Sequence, residues 1–205
     1  MSSLMTPGLE VENIIACSAI LIVLVIVSAR HKVLDKAGIV AAIVLGSVVG
    51  LLGHWTWLGI LLGFLASSHK VTKWKFAEKT EKGLCESNDG HRSWGNVIAN
   101  GGLPGLAAIF SFLNADWENG IWLFSAAVAV ATADTFASEI GCLDDRVRMI
   151  TTMKKCEAGI NGGFSPNGQK AAAAGSAAIA LLTIFSVLVV VSKRTFVIHS
   201  PIITA

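Results

Sequence analysis

Long apolar stretches alternate with polar segments along this chain, and their lengths predict helices that cross a membrane. A helix needs about 20 apolar residues to span a bilayer. The stretch 14–29 is nearly unbroken Ile, Val, Leu and Ala, whereas 38–68 stays apolar for too long to be one span. We divide it after Gly53, where two Trp residues are placed as interfacial anchors would be. The pattern predicts six membrane helices, at 14–29, about 37–53, 57–68, 97–113, 121–141 and 171–191.

The composition agrees with a membrane protein. Hydrophobic residues make up 53% of the chain and charged residues 15%, whereas an ordinary soluble domain is about 25% charged. We therefore expect one integral membrane domain over 1–205, an all-α polytopic helix bundle with two sizeable polar loops, 69–96 and 142–170. The four cysteines show neither a CxxC pair nor zinc-site spacing, so we expect free thiols.

The distribution of Lys and Arg orients the predicted bundle. Segments 30–36, 69–96 and 142–170 carry three, six and five of the sixteen basic residues, and the remaining two lie in the C-terminal tail. Cytoplasmic loops of membrane proteins carry the excess of Lys and Arg. We therefore predict that both large loops are cytoplasmic and that both chain ends are outside.

The predicted 121–141 helix carries four polar residues, Asp134, Thr135, Ser138 and Glu139. An ionisable side chain within a membrane helix costs a few kcal/mol and usually marks a functional site facing the bundle interior. Spacings of four place Asp134 with Ser138, and Thr135 with Glu139, on a broad polar face. The two carboxylates are about 140° apart on an ideal helix. They could ligate one ion only with help from a bend or from other segments.

A glycine-rich stretch, AGINGGFSPNG at 158–168, follows a basic segment that includes Lys154. Glycine amides can approach an anion closely, and nearby basic residues suit a di- or triphosphate. The stretch lacks the Walker A pattern. About half of such loops are plain connectors.

Other polar residues flank the predicted spans. Lys70 and Lys73 follow the third span, where positive-inside placement or binding of anionic lipid head groups is the favoured interpretation of any single lysine. Arg92 precedes Asn96 and Asn100, whose spacing of four aligns them on one helix face. Ordinary helix packing through Asn-Gly-Gly is the competing interpretation.

Together these residues predict a polar site at the cytoplasmic face of a helix bundle. Carboxylates for Mg²⁺, with basic groups and amides for phosphate, are what phosphoryl or nucleotidyl transfer requires. A cation or proton transporter could use the same carboxylates, but it would not need the basic, glycine-rich loop. The membrane-proximal basic residues give no support for nucleic-acid binding.

Four motifs resemble one family in the same order, over about 35–190: SSHKVTKWKF, RSWGNVIANGGLPG, ATADTFASEIG and RMITTMKKCEAGINGGFSPNG. The family is the membrane family known as domain of unknown function 92, which includes transmembrane protein 19 and plant phytyl-phosphate kinases. The resemblance implies transfer of a phosphoryl group from CTP or another nucleoside triphosphate to a prenyl, phytyl-type monophosphate, with Mg²⁺ as cofactor. The partners it implies are membrane lipid, nucleotide and prenyl phosphate.

The resemblance also implies roles for the residues singled out above. Asp134 and Glu139 would be catalytic residues and metal ligands, with Lys154 as a third catalytic residue. The residues implied in binding the nucleotide and the phosphates are Thr135, Ser138, Asn161, Gly162 and Gly163, together with Arg92, Asn96 and Asn100, and with Lys70 and Lys73 at the rim.

Two features differ from the family pattern. Thr135-Phe136 stands where members usually have Thr-Trp. The family also continues beyond the last span into further membrane helices with a D-S-L-L-G-A-like motif, which we expect this chain to lack. The alternative to a kinase is a non-enzymatic membrane protein, either a lipid or ion transporter or an inactive, truncated family member.

Overall fold

The chain folds into an all-α bundle in a computed structural model that describes residues 9–85 and 90–199, with side chains described as far as 192. A short β-hairpin interrupts the helices. Both chain ends, which we predict to be outside, fall largely beyond the described residues. The elements are α1 (Val11–His31), α2 (Lys36–Val48), a π-helical turn (Val49–Gly53), α3 (Trp55–Lys73), α4 (Phe76–Glu81), α5 (Trp94–Leu113), α6 (Trp117–Gly141), β1 (Arg148–Met149), β2 (Gly163–Phe164) and α7 (Pro166–His199).

The predicted all-α membrane bundle is confirmed. The third predicted span, 57–68, lies within α3, which is 19 residues long. Because α3 continues through Ser68-His69-Lys70, it is less apolar than the other long helices and does not qualify as a span by composition. Five described segments are long and apolar enough to cross a membrane: Val11–His31, Lys36–Gly53, Trp94–Leu113, Trp117–Gly141 and Pro166–Ser192.

The core lies where α3, α6 and α7 meet. Trp57 of α3 is fully buried and stacks on Phe124 of α6, with ring centroids 5.1 Å apart. Ile121 and Val128 of α6 and Ile179 of α7 belong to the same cluster, to which α5 adds Ala107 and Ala108. The buried aromatic pair fixes α3 against α6, so the polar ends of these two helices also lie side by side.

The end of α6 and the start of α7 cross at a close backbone contact that needs glycine. A Cβ added at Gly168 would lie 3.0 Å from the carbonyl oxygen of Ala137 and 3.2 Å from the Cα of Gly141. Both neighbours are backbone atoms, so neither can move aside as a side chain could. Glycine at 168 therefore sets the close approach of the two helices beside the polar loop.

A π-helical turn follows α2, and the chain then reverses direction into α3. Asn13 at the start of α1 bonds to both sides of this break: its Nδ2 donates to the carbonyl of Gly50 at 2.8 Å, and its Oδ1 accepts from the amide of Trp55 at 2.7 Å. The indole nitrogen of Trp117 donates to the carbonyl of Leu52 at 3.0 Å. Side chains from α1 and α6 thus satisfy backbone groups that the irregular turn leaves open.

The three segments rich in Lys and Arg lie at one end of the bundle, which we call the basic end. The amide of Arg92 donates to the carbonyl of Val33, and the amide of Asp35 donates to the carbonyl of Arg92, both at 3.1 Å. Segments 30–36 and 69–96 are thereby joined. Glu139 near the end of α6 contacts the end of α3, and the 142–165 loop follows directly.

Candidate functional site

The polar residues of α6 line two different cavities at the basic end. Asp134 and Ser138 line a cavity of about 280 Å³ together with the 159–165 loop and the start of α7; we call it the loop cavity. Glu139 lines a second cavity of about 260 Å³, which we call the basic cavity. Its other lining residues come from α3, α4, the 85–93 segment and α5: Thr72, Phe76, Cys85, His91, Arg92, Ser93 and Asn96.

The loop cavity brings together Asp134, Ser138, Asn161, Gly162 and Gly163. The carboxylate of Asp134 is exposed and makes no hydrogen bond or ion pair with the side chains or backbone of residues 9–85 and 90–192. Gly162 has a φ of +82°, which favours glycine. The amide of Gly163 already donates to the carbonyl of Ile160 at 2.9 Å. The cavity therefore offers an available carboxylate beside a tight glycine turn.

The loop is anchored by Asp144 and Arg146, neither of which the sequence patterns singled out. Asp144 accepts hydrogen bonds from the Arg146 guanidinium at 2.9 and 3.0 Å and from the amide of Asn167, in the first turn of α7, at 3.1 Å. The Arg146 guanidinium holds the pKa of the Asp144 carboxyl well below its usual range. Asp144 therefore stays ionised at neutral pH and occupies the positive N-terminus of α7.

Glu139 is held by two donors at the wall of the basic cavity. Thr72 Oγ1 donates to its Oε1 and Lys79 Nζ donates to its Oε2, both at 2.7 Å. The side chain of Lys79 is only 1% exposed. Sequence patterns missed Lys79, because FAEKTE is typical of a solvated helix. The one weak signal is its spacing of three from Phe76, which places both side chains on one helix face.

Arg92 and Asn96 line both the basic cavity and an adjoining apolar crevice. Arg92 is 9% exposed, and its guanidinium carbon lies 5.6 Å from the ring centroid of Phe64. Asn96 accepts hydrogen bonds from the amide and hydroxyl of Ser93 at 3.1 and 3.0 Å. These bonds cap the N-terminus of α5. Most of the crevice is lined by side chains of α1, α2 and α3, including Leu24, Leu45, Leu58, Leu61 and Leu65.

The remaining predicted residues lie at or beyond the edges of these cavities. Asn100 lines the crevice, where its side chain donates to the carbonyl of Asn96 at 2.8 Å. Lys73 lies beside the basic cavity, with Nζ 5.0 Å from the ring centroid of Phe76. Lys70 is exposed at the end of α3, and Thr135 is buried within the bundle. Lys154 is exposed in the turn after β1 and lines neither cavity.

The arrangement separates the two carboxylates proposed as ligands of one ion. Asp134 and Glu139 line different cavities, as their angular separation on α6 requires, and Lys79 neutralises Glu139. Residues 9–85 and 90–192 contain no cluster of three or more His, Cys, Asp or Glu side chains able to hold a metal ion. The bend or extra segment needed for joint ligation is not formed in this structure.

Sequence comparison gives related proteins from three organisms. The chain is 30% identical over 163 residues to an uncharacterized membrane protein of Methanocaldococcus jannaschii, covering 79% of this chain and 66% of that protein. It is 28% identical over 173 residues to Protein PGR of Arabidopsis thaliana, covering 75% and 58%. An uncharacterized membrane protein of Synechocystis is 28% identical over 159 residues, covering 75% and 61%.

The match thus spans less than two thirds of each of these relatives. No solved structure matches the chain. The family model described as integral membrane protein DUF92 matches residues 19–204, a range that contains α2 to α7 and the residues lining both cavities. The chain therefore belongs to the DUF92 family of integral membrane proteins.

Proposed function

We propose that this protein is a prenyl-phosphate kinase of the membrane. The loop cavity would receive a nucleoside triphosphate such as CTP, and the basic cavity would receive the phosphate of a prenyl monophosphate. The prenyl chain would lie in the apolar crevice. Both cavities would open on the cytoplasmic side, where the charge distribution places the basic end and where nucleotides are available.

The wall that the basic cavity shares with the apolar crevice is the observation that carries this proposal. Arg92 and Asn96 belong to both, so a charged wall adjoins a leucine-lined one. A prenyl phosphate has the same division between an anionic head and an apolar tail. A guanidinium is well suited to phosphate because it offers several donors in a plane. Burial of Arg92 strengthens its attraction for an anion because water screens it less.

The loop cavity has the features expected for Mg²⁺ and a nucleotide. Mg²⁺ is usually bound by one or two carboxylates together with substrate phosphates and water, so Asp134 with the oxygens of Ser138 and Asn161 fits this requirement. The ion would neutralise charge on the phosphates during transfer. The turn at Gly162 would position the nucleotide phosphates, because glycine allows the backbone to come close to them.

The reaction would be a direct phosphoryl transfer. A phosphate oxygen of the prenyl monophosphate attacks the terminal phosphorus of the triphosphate, and the bond from that phosphorus to the bridging oxygen breaks. The products are the prenyl diphosphate and a nucleoside diphosphate. Since the chemistry needs mainly positioning and charge stabilisation, no covalent enzyme intermediate is required. Because α6 separates the two cavities, the terminal phosphate of the nucleotide and the lipid phosphate would have to meet beyond the C-terminal end of this helix.

The test is conversion of geranylgeranyl or phytyl monophosphate to the diphosphate by the purified chain with CTP and Mg²⁺. Asp134→Asn should lower turnover at least about 100-fold, the effect typical of removing one group that stabilises transferred charge. Asp116→Asn is the matched control, because Asp116 caps the other end of α6 and Asn is an equally good cap. A folded wild-type protein that neither turns over a prenyl phosphate nor gains thermal stability with nucleotide would refute the proposal.

Ion transport is the competing function, and it can be tested in liposomes. A transporter that carries its cation on Glu139 should lose flux in Glu139→Gln. The ion pair between Lys79 and Glu139 speaks against this role, because the ammonium already occupies one carboxylate oxygen.

A further inference from the structure

Glu139 presents a difficulty for an anion in the basic cavity, because it is a carboxylate in the cavity wall. An ionised carboxylate a few ångströms from a phosphate repels it, and partial burial increases the repulsion. The hydrogen bonds of Glu139 remove much of this difficulty. Thr72 and Lys79 each donate to one of its two oxygens at 2.7 Å, so the charge is balanced within the wall.

Lys79 is fixed in this position by more than its ion pair. Its Nζ also donates to the carbonyls of Val71 and Thr72, both at 3.1 Å. These carbonyls belong to the last turn of α3, where the helix dipole favours a cation. With 1% of its side chain exposed, Lys79 is held by α3 and α6 while its backbone belongs to α4. The ammonium therefore cannot swing into solvent without breaking three hydrogen bonds.

Among the residues that the structure describes, the remaining charged groups at this cavity are basic. Arg92 and His91 line it, and Lys73 lies beside Phe76 at its edge. With Lys79 in place, the negative charge of Glu139 is balanced within the wall. Without Lys79, this carboxylate would oppose an anion beside Arg92. One buried lysine on a six-residue helix thus removes the repulsion that Glu139 would exert in the cavity.

We propose that Lys79 is a specificity-determining residue that neutralises Glu139 and thereby makes the basic cavity select the phosphate end of a lipid. That the phosphate is a prenyl monophosphate rests on the proposed function. The charge preference itself does not, because it can be measured by binding alone. Glu139 then serves as the partner of Lys79 and not as a metal ligand.

The experiment compares two lipids with the same tail, geranylgeranyl monophosphate and geranylgeraniol, bound to the purified full chain without nucleotide. The wild type should prefer the phosphate. Lys79→Met should weaken phosphate binding about tenfold or more, since it leaves Glu139 charged and unbalanced. Binding of the alcohol should change less than about twofold, because an uncharged head group does not sense that carboxylate.

Three further variants separate charge from folding. Lys79→Met combined with Glu139→Gln removes both charges and should restore the phosphate preference to within about threefold of the wild type. Glu139→Gln alone should bind the phosphate at least as tightly as the wild type, which keeps the test informative if Lys79→Met does not fold. Lys82→Met is the matched control, because Lys82 directly follows the same short helix but is exposed and paired with Glu78.

The inference is overturned if Lys79→Met keeps the wild-type ratio of phosphate to alcohol binding, if Glu139→Gln loses phosphate binding, or if the wild type has no preference. Its failure can be told from that of the proposed function. A wild type that prefers the phosphate, with the predicted variant pattern but no turnover with CTP, refutes the kinase and leaves the selectivity of Lys79 standing. If the wild type turns over the prenyl phosphate with CTP, and Lys79→Met keeps the wild-type ratio of phosphate to alcohol binding, the kinase proposal stands and the selectivity role of Lys79 is refuted.

Discussion

Asp134 and Glu139 are five residues apart on α6, yet their surroundings give them different chemistry. The Asp134 carboxylate is exposed beside the glycine turn, whereas the Glu139 side chain is 18% exposed and bonded to Lys79 and Thr72. A carboxylate with a close ammonium partner has little attraction left for a second cation. Under the proposed function, Asp134 would therefore be the carboxylate that binds the metal–nucleotide complex, and Glu139 would belong to the lipid side of the site.

At Gly162, we predict that alanine will weaken nucleotide binding. Alanine at a φ of +82° costs about 1–2 kcal/mol, and its Cβ would lie 3.1 Å from the sulfur of Met149. The turn should relax away from the loop cavity, so affinity for CTP, measured by calorimetry, should fall about tenfold. Gly83→Ala is the control: Gly83 also has a positive φ, +67°, but nothing lies within 4 Å of the added Cβ. Equal CTP affinity in both variants would contradict the prediction.

The long helices could be predicted from the length of their apolar stretches. The short elements could not, because they form only through contacts with other parts of the chain. Five predicted helices match the candidate spans in order, because about 20 apolar residues need a helix inside a bilayer. The helix α4 and the β1–β2 hairpin are short and have no such signal. The burial of Lys79 could not be predicted either. It depends on where α3 ends and on which face of α6 packs against the end of α3.

The same contrast holds for the candidate site. Spacing along α6 correctly separated Asp134 from Glu139 by angle, and composition identified the glycine-rich loop that lies beside Asp134. The sequence could not show that Lys154 lies outside both cavities, because its position depends on the path of the chain between β1 and β2. The sequence therefore predicted which residue types lie near each other within one element. It could not predict which side chains from different elements come into contact, because the fold determines that.

For the α6–α7 crossing, we predict that Gly168→Ala destabilises the protein by about 1–3 kcal/mol, the usual cost of overpacking. The added Cβ would meet backbone atoms of Ala137 and Gly141 at 3.0 and 3.2 Å. Thermal unfolding in one detergent measures the effect. Gly59→Ala in α3 is the control, since nothing lies within 4 Å of its added Cβ. It should be neutral or stabilising by up to about 1 kcal/mol, because alanine favours a helix. A Gly168→Ala protein as stable as Gly59→Ala would argue against a close crossing.

The whole molecule gathers its basic residues at one end. Segments 30–36, 69–96 and 142–170 hold fourteen of the sixteen Lys and Arg residues. Contacts of Arg92 with Val33 and of Glu139 with Lys79 bring these segments together. Both cavities lie within this region. Such a concentration favours the side of the membrane that faces the cytoplasm and carries anionic lipids.

This orientation predicts a labelling pattern. In a background without native cysteines, a membrane-impermeant maleimide applied to intact cells should label Asn119→Cys, at the end of the bundle opposite the basic end. Lys82→Cys and Lys154→Cys, which replace exposed residues of the two basic segments, should react only after the membrane is opened. Labelling of either lysine position in intact cells would reverse the proposed topology.

The contacts of Asn13 with the π-helical turn also bear on how the protein assembles. The carbonyl of Gly50 and the amide of Trp55 flank the reversal between α2 and α3, and one side chain of α1 satisfies both. If α2 and α3 entered the membrane alone, their connection would lack the partner that Asn13 gives to these two backbone groups. Because α1 precedes α2 and α3 along the chain, its Asn13 amide reaches the membrane before they do. We therefore expect α1 to assist the insertion of the two helices that follow it.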